Sequence, residues 1–314
     1  MHVLRHLERV APRPTPPVVT LGNFDGVHRG HQEILHRTVT AARAAGCEAL
    51  AITFWPHPAQ VLAPSSGTVL ITPLRQRLEQ IAACGIDVIV AQRFSKRFAA
   101  VTAEAFVKDL LHRRLGARRI VVGHRVSFGH NRAGNADVLR RLGADIGVAV
   151  DVVEPVRVAN HLVSSSAVRT ALRSGDLSHV RQLLGRPHSL VGRVVHGHHR
   201  GRTIGFPTAN LRLHNDRGGL LPPDGVYAVR ARWQGRWYPG IANIGFNPTF
   251  GDRMRSVETH LFDFDADLYR QRIEVAFIER LRGEVKFADA QALAAQIQRD
   301  VLVARAALER EPSE

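Results

Sequence analysis

Two short stretches of this chain gather the residue types that handle phosphate. The first reads Gly22-Asn23-Phe24-Asp25-Gly26-Val27-His28-Arg29-Gly30-His31, directly after the apolar run Val18-Val19-Thr20-Leu21. A β-branched run that breaks into a glycine-rich turn and then a helix is how α/β proteins hold phosphate. The N–H groups of the turn and the positive end of the helix dipole point at the anion. The two histidines, three residues apart, open a helix predicted over 31–45 and share one face of its first turn. Imidazole donates to phosphate oxygens, and a neighbouring anion raises its pKa toward the charged form. That combination suits nucleotidyl transfer, in which a phosphate oxygen attacks the α-phosphorus of ATP and pyrophosphate leaves. Taken alone, a His-x-x-His pair is equally a surface coincidence, and a metal site lacks a third ligand at ligand spacing. The string is neither the GxGxxG dinucleotide fingerprint nor a Walker A loop, since no Gly-Lys dipeptide occurs.

The second stretch runs from Gly197 through His198-His199-Arg200-Gly201-Arg202-Thr203-Ile204 to Gly205-Phe206-Pro207-Thr208-Ala209-Asn210. Its glycines allow close backbone approach to phosphates. The Thr208 hydroxyl and Asn210 carboxamide are oxygen ligands suited to Mg²⁺, which takes few protein ligands and shares the rest with ATP. As plain structure the same string is a Pro/Gly turn inside a barrel. Glu258 lies in Ser256-Val257-Glu258-Thr259-His260-Leu261, where alternation puts Glu258, His260 and Phe262 on one face. A lone strand carboxylate commonly faces solvent; facing the phosphate loop, it serves as general base on a hydroxyl.

The elements that must position these residues change character along the chain. Strands are predicted at 18–21, 49–54, 88–91, 119–122 and 148–153, with helices between them at 31–45, 73–84, 103–115 and 135–142. Such alternation implies a Rossmann-like parallel sheet covered on both faces, with ligands at the carboxyl ends of its strands. A helical stretch over 166–184 ends at Gly185-Arg186-Pro187 and makes a junction. Beyond it, short alternating runs at 190–196, 226–233, 237–243, 257–262 and 273–278 imply an antiparallel sheet or small barrel, followed by a helix over 288–308. Two domains follow, 1–185 and 186–314.

Composition narrows the classes. At 45% hydrophobic and 23% charged residues the chain is an ordinary globular protein. Cys47 and Cys84, its two cysteines, read as buried free thiols in a reducing cytoplasm. No apolar leader or membrane-length run is present. The net charge of +15 comes from arginines spread along the chain, such as Arg113, Arg114, Arg118, Arg119, Arg140 and Arg141. Aromatic residues are 6% of the chain, which argues against a single-strand stacking platform.

Taken together and in order, these constellations resemble the bacterial bifunctional riboflavin kinase/FAD synthetase family from end to end. The matching segments are residues 22–31, Phe54-Trp55-Pro56-His57-Pro58, Val121-Val122-Gly123 with Phe128-Gly129 and Gly134, Ser164-Ser165-Ser166 through Arg169, and Leu184-Gly185-Arg186-Pro187. Residues 201–210, Asp224-Gly225-Val226-Tyr227, Asn243-Ile244-Gly245, Asn247-Pro248-Thr249-Phe250, Glu258, Asp263-Phe264, Leu268-Tyr269 and Leu281-Arg282 with Lys286-Phe287 complete the set. The resemblance implies an N-terminal FMN adenylyltransferase domain and a C-terminal β-barrel riboflavin kinase domain. Riboflavin is phosphorylated by ATP to FMN, which a second ATP converts to FAD and pyrophosphate.

By the same resemblance Glu258, His28 and His31 are catalytic. Gly22, Asn23, Asp25, Ser164, Ser166, Arg169, Gly205, Pro207, Thr208 and Asn210 bind nucleotide or flavin, and Thr208 and Asn210 hold Mg²⁺. Residues 54–58 border the flavin. The expected partners are riboflavin, FMN and ATP, with no specific nucleic acid, no membrane and at most a weak or transient homo-oligomer. The chain departs from the family pattern at Arg125-Val126, where Asn or Asp followed by Phe is usual, at Ser166 in place of Thr, and at Arg270 in place of Gly. The first departure leaves a second version open, a riboflavin kinase with a weak or inactive adenylyltransferase domain.

Overall fold

The computed structural model describes residues 2–10, 15–197, 205–213, 219–246 and 255–311. They divide into two compact units, Met1–Leu70 with Leu74–Ser165, and Ile71–Pro73 with Ser166–Glu314. Among the described residues no helix is long and apolar enough to cross a membrane.

The first unit is built on a six-stranded sheet of β1 (His2–Arg5), β2 (Val18–Leu21), β3 (Ala49–Trp55), β4 (Val88–Arg93), β5 (Arg119–Gly123) and β6 (Ala149–Val153). Every pairing is parallel, in the order β1-β4-β3-β2-β5-β6. Alternate residues feed two cores. Leu50, Ile52, Val88, Val90, Ile120 and Val122 pack on one side, and Ala49, Ala51, Ile89 and Val121 on the other. Burial on both faces is why these strands read as continuous apolar runs. Chain order reverses between β2 and β5, and such a switch point is where open α/β sheets bind ligands. β1 is an edge strand with little buried surface, and no apolar alternation announced it.

The helices are α1 (Arg29–Ala44), α2 (Pro58–Leu62), α3 (Leu74–Ala83), α4 (Lys96–Ala99), α5 (Ala103–Ala105) and α6 (Ala136–Ala144). α5 runs on as a π-helix over Phe106–Arg114. Cys47 and Cys84 are free, as expected, but each is part-exposed rather than buried.

The predicted helix over 166–184 is two helices, α7 (Ser165–Ser174) and α8 (Leu177–Leu184). Gly175 takes φ +78° and ends the first, and the Asp176 carboxylate accepts from the His179 N–H at 2.9 Å to start the second. A two-stranded antiparallel ribbon of β7 (Arg157–Val158) and β8 (His161–Leu162) precedes α7. In the second unit β9 (His188–Val195), β10 (Ala209–Arg212), β11 (Gly225–Trp233), β12 (Arg236–Phe246), β13 (Arg255–Leu261) and β14 (Arg272–Arg282) close an antiparallel barrel, ordered β10-β13-β12-β11-β14-β9. β10, the strand missing from the sequence prediction, is four residues long and directly follows Thr208. α9 (Ala290–Glu309), capped by Asp289, packs Ala304, Ala307 and Leu308 on Ala228, Ile241 and Phe262 of the barrel. Asp300, buried on that helix, is held by the Arg282 guanidinium at 2.7–3.0 Å and by Gln296 at 2.8 Å.

Two local features make predictions. Arg270 adopts φ +63°, in the left-handed region where the family's glycine carries no Cβ penalty. Arg270→Gly is therefore expected to stabilise the second unit by about 1 kcal/mol, read as a higher thermal midpoint. His188 is buried with a ring nitrogen 2.8 Å from the Leu220 carbonyl, and desolvation lowers its pKa to about 4. The folded ring is neutral while the unfolded one protonates near the ordinary value of about 6.5, so the unfolded state binds more protons below that pH. Stability is retained above about pH 6.5 and falls by about 3 kcal/mol as the pH drops through 4. Denaturant titrations at pH 7 and pH 4.5 check this, and His188→Gln should flatten the difference.

Candidate active sites

The switch-point loop follows β2. Helix α1 begins at Arg29, two residues earlier than predicted, which makes His28 its N-cap and places His31 on its first turn. The His31 N–H donates to His28 Nδ1 at 3.2 Å, and the two rings stack with centroids 3.6 Å apart. Gly30 permits this, because a Cβ there would stand 3.3 Å from the His28 ring. Phe24, buried with φ +49°, meets His31 edge-on at 5.3 Å. The two catalytic candidates thus form one stacked unit over a helix N-terminus, more closely joined than a shared helix face requires.

The loop is pinned from beneath through its carbonyls. Asn23 O accepts from Thr53 Oγ1 at 3.1 Å and from Arg77 Nη1 at 2.9 Å. Asp25 is buried, and its carbonyl accepts from Ser165 Oγ at 3.0 Å. Gly22 N–H donates to Ile52 O at 3.0 Å. Burial first, then the nearby His28 and Arg77, hold His31 well below the usual histidine range. Its ring is therefore neutral at pH 7 and acts as a hydrogen-bonding group, with Nδ1 buried and unpartnered. An adjacent anion would favour its positive charge. Sequence reasoning missed Arg77, Thr53 and Ser165 as contacts of the loop. The signal for Arg77 was present: it falls between Leu74 and Ile81 on the apolar stripe of α3.

Ser164 precedes α7, and Ser166 and Arg169 lie on that helix, grouped with the second unit. Phe54 is buried against Phe94 and Phe98 at 5.9 and 6.0 Å, whereas Trp55 is exposed. Arg125 sits exposed in the turn after β5, and Val126 packs on the core.

In the barrel, register brings together residues distant in sequence. Glu258 on β13 pairs directly with Asn210 on β10 and with Asn243 on β12, so the three side chains share one rung and one face. Glu258 is part-exposed, Asn243 exposed and Asn210 buried. Asn210 Oδ1 is buried without a hydrogen-bond partner, although almost every such atom in a folded protein has one. A Cβ on Gly197 would collide with the Asn210 carboxamide at 2.4 Å, so glycine leaves room for it. Thr208, two residues before Asn210, is part-exposed and on the same side of the chain. An unpartnered carboxamide oxygen beside a hydroxyl fits a hard cation that takes oxygen ligands. Gly205, at φ +86°, and Pro207 are exposed on the approach to β10. The His260 Nδ1–H donates to the Pro207 carbonyl oxygen, 2.8 Å away. Residues 198–204 of the phosphate loop, and Asn247-Pro248-Thr249-Phe250, lie outside the described residues. Asn243 was quoted for its motif, yet only the barrel register shows it beside Glu258.

A parallel sheet with a stacked histidine pair at its switch point, followed by a closed barrel carrying a carboxylate between two carboxamides, defines a two-domain phosphate-transfer protein. The family model described as FAD synthetase matches residues 11–167, and the one described as riboflavin kinase matches residues 184–308. The chain is 38% identical over 307 residues to the bifunctional riboflavin kinase/FMN adenylyltransferase of Escherichia coli (strain K12), covering 97% of each. It is 35% identical to that of Bacillus subtilis (strain 168), covering 96% of this chain and 95% of the relative. Among solved structures, a Streptococcus pneumoniae protein described as a macrolide-efflux protein superimposes with a TM-score of 0.87 at 32% identity, covering 97% of this chain and 99% of that one. The chain belongs to the bifunctional riboflavin kinase/FMN adenylyltransferase family.

Proposed function

We propose that the chain phosphorylates riboflavin to FMN in residues 186–314 and adenylylates FMN to FAD in residues 1–185. The observation that supports two sites is that residues 22–31 lie in one compact unit and Thr208, Asn210 and Glu258 in the other, each with its own core. Membership of the family supports both activities, with ATP and flavins as substrates.

In the barrel, Glu258 is the general base that takes the proton from the ribityl 5′-hydroxyl as that oxygen attacks the γ-phosphorus of ATP, whose bond to the bridging oxygen breaks to release ADP. Its strand neighbours Asn210 and Asn243 flank it on one rung and fix where it stands. Thr208 and Asn210 would hold Mg²⁺, which offsets phosphate charge when bound. In the first domain the nucleophile is the FMN phosphate, already ionised near neutral pH because its second pKa is about 6, so no protein base is needed. His28 and His31 hydrogen-bond the charge growing on the α-phosphoryl group, at the positive end of α1. Asn23 and Asp25 order the loop and Gly22 lets the chain turn beneath it; by the family resemblance alone, Ser164, Ser166 and Arg169 are assigned to the departing phosphates. Gly205 and Pro207 shape the approach to the kinase phosphates. The site of action is the cytoplasm, where ATP and reduced thiols coexist.

Chromatography of products from riboflavin, ATP and Mg²⁺ tests this. Accumulation of FAD supports it, FMN alone reduces it to a kinase with an idle first domain, and no new flavin overturns it. The same assay with excess chelator should yield neither product.

A further inference from the structure

Arg77 is wholly buried on α3, yet the groups it bonds are main-chain carbonyls and not a carboxylate. Nη1 donates to Asn23 O at 2.9 Å and Nη2 to Phe54 O at 3.0 Å, while Nε has no partner. A guanidinium taken out of water without a directly bonded carboxylate costs more than two hydrogen bonds return. Asn23 and Phe54 lie at the carboxyl ends of the neighbouring strands β2 and β3, the edge where the switch-point loop begins. With its fork spread between them, Arg77 fixes the direction of the peptide after Asn23, and with it the N–H groups of the loop.

We propose that Arg77 is the positioning residue of the nucleotide loop: it ties the ends of β2 and β3 together and sets a permanent positive potential beneath residues 22–31. It touches no substrate and acts through the loop. This rests on the adenylylation assigned above to that loop. The electrostatics agree in direction. Asp25 is the acidic group that offsets the buried guanidinium, and Arg77 and His28 both oppose protonation of His31. Phe24 packs on the same ring and carries no charge.

The test uses the full chain with Arg77→Lys, which keeps the charge and loses the fork, and Arg77→Gln, which keeps a donor and loses the charge. FMN adenylylation, riboflavin phosphorylation, the thermal transition and the NMR titration of the His31 ring are followed in each. Both variants should lose about 10- to 100-fold in kcat/KM for adenylylation, with riboflavin phosphorylation within about twofold of the parent. The His31 midpoint should rise in Arg77→Gln and stay in place in Arg77→Lys. Parental adenylylation in both variants, or an unmoved His31 midpoint in Arg77→Gln, overturns the proposal. A loss that merely tracks a lowered thermal transition in both variants also overturns it, assigning Arg77 to the core alone. A parent chain that makes no FAD from supplied FMN instead sinks the underlying assignment of the loop.

Discussion

Glu258→Gln is expected to stop FMN formation from riboflavin and ATP, lowering the rate about 100- to 10,000-fold, while supplied FMN is still converted to FAD at the parental rate. An alcohol with its proton in place is a poor nucleophile, and removing a positioned base forfeits that range. The substitution is nearly isosteric, and Gln can occupy the same rung between Asn210 and Asn243 without opening a cavity. Since Glu258 is part-exposed, the change should leave the barrel's stability within about 1 kcal/mol of the parent. Rates of the two half-reactions, measured separately on one preparation, check the prediction. Parental FMN formation by Glu258→Gln would remove the carboxylate from the chemistry.

His28→Ala is expected to do the reverse, slowing FMN-to-FAD conversion by about 100- to 1,000-fold and sparing riboflavin phosphorylation. Part of any loss comes from structure, because His28 is the N-cap of α1 and accepts from the His31 N–H. Removing a cap costs about 1 kcal/mol. His28→Asn separates the two contributions. Asparagine keeps an acceptor at the cap but cannot stack on His31 or present an imidazole to phosphate. His28→Asn should stay nearly as inactive as His28→Ala while recovering most of the stability. Recovery of activity with the cap would make His28 a structural residue.

Much of the architecture was legible because burial writes itself into residue type. The inner parallel strands β2 to β5, buried on both faces, were readable as apolar runs, and the barrel strands other than β10 as alternations. What escaped were short elements without enough residues to show a period, β1 and β10, and the break between α7 and α8. The break depends on one glycine and one capping aspartate inside an apolar pattern that otherwise continues.

The sites divided in the same way. The histidine pair and Glu258 could be singled out from motif and resemblance, but their surroundings could not. Stacking of His28 on His31 depends on left-handed backbone at Phe24 and Val27, which no hydrophobic pattern encodes. The rung of Asn210, Glu258 and Asn243 exists only once β10, β13 and β12 are paired in register. Arg270 is the opposite case. Its departure from glycine is plain in the sequence, and its φ of +63° shows what the departure costs.

Two sites on one chain that share only free FMN must be able to complement one another in separate molecules. Mixing Glu258→Gln chains with His28→Ala chains tests this most directly. Neither variant alone should make FAD from riboflavin and ATP, whereas the mixture should, because FMN released by the intact kinase of one reaches the intact adenylyltransferase of the other. FAD from either variant alone, or none from a mixture whose halves each retain their single activity, would contradict the account.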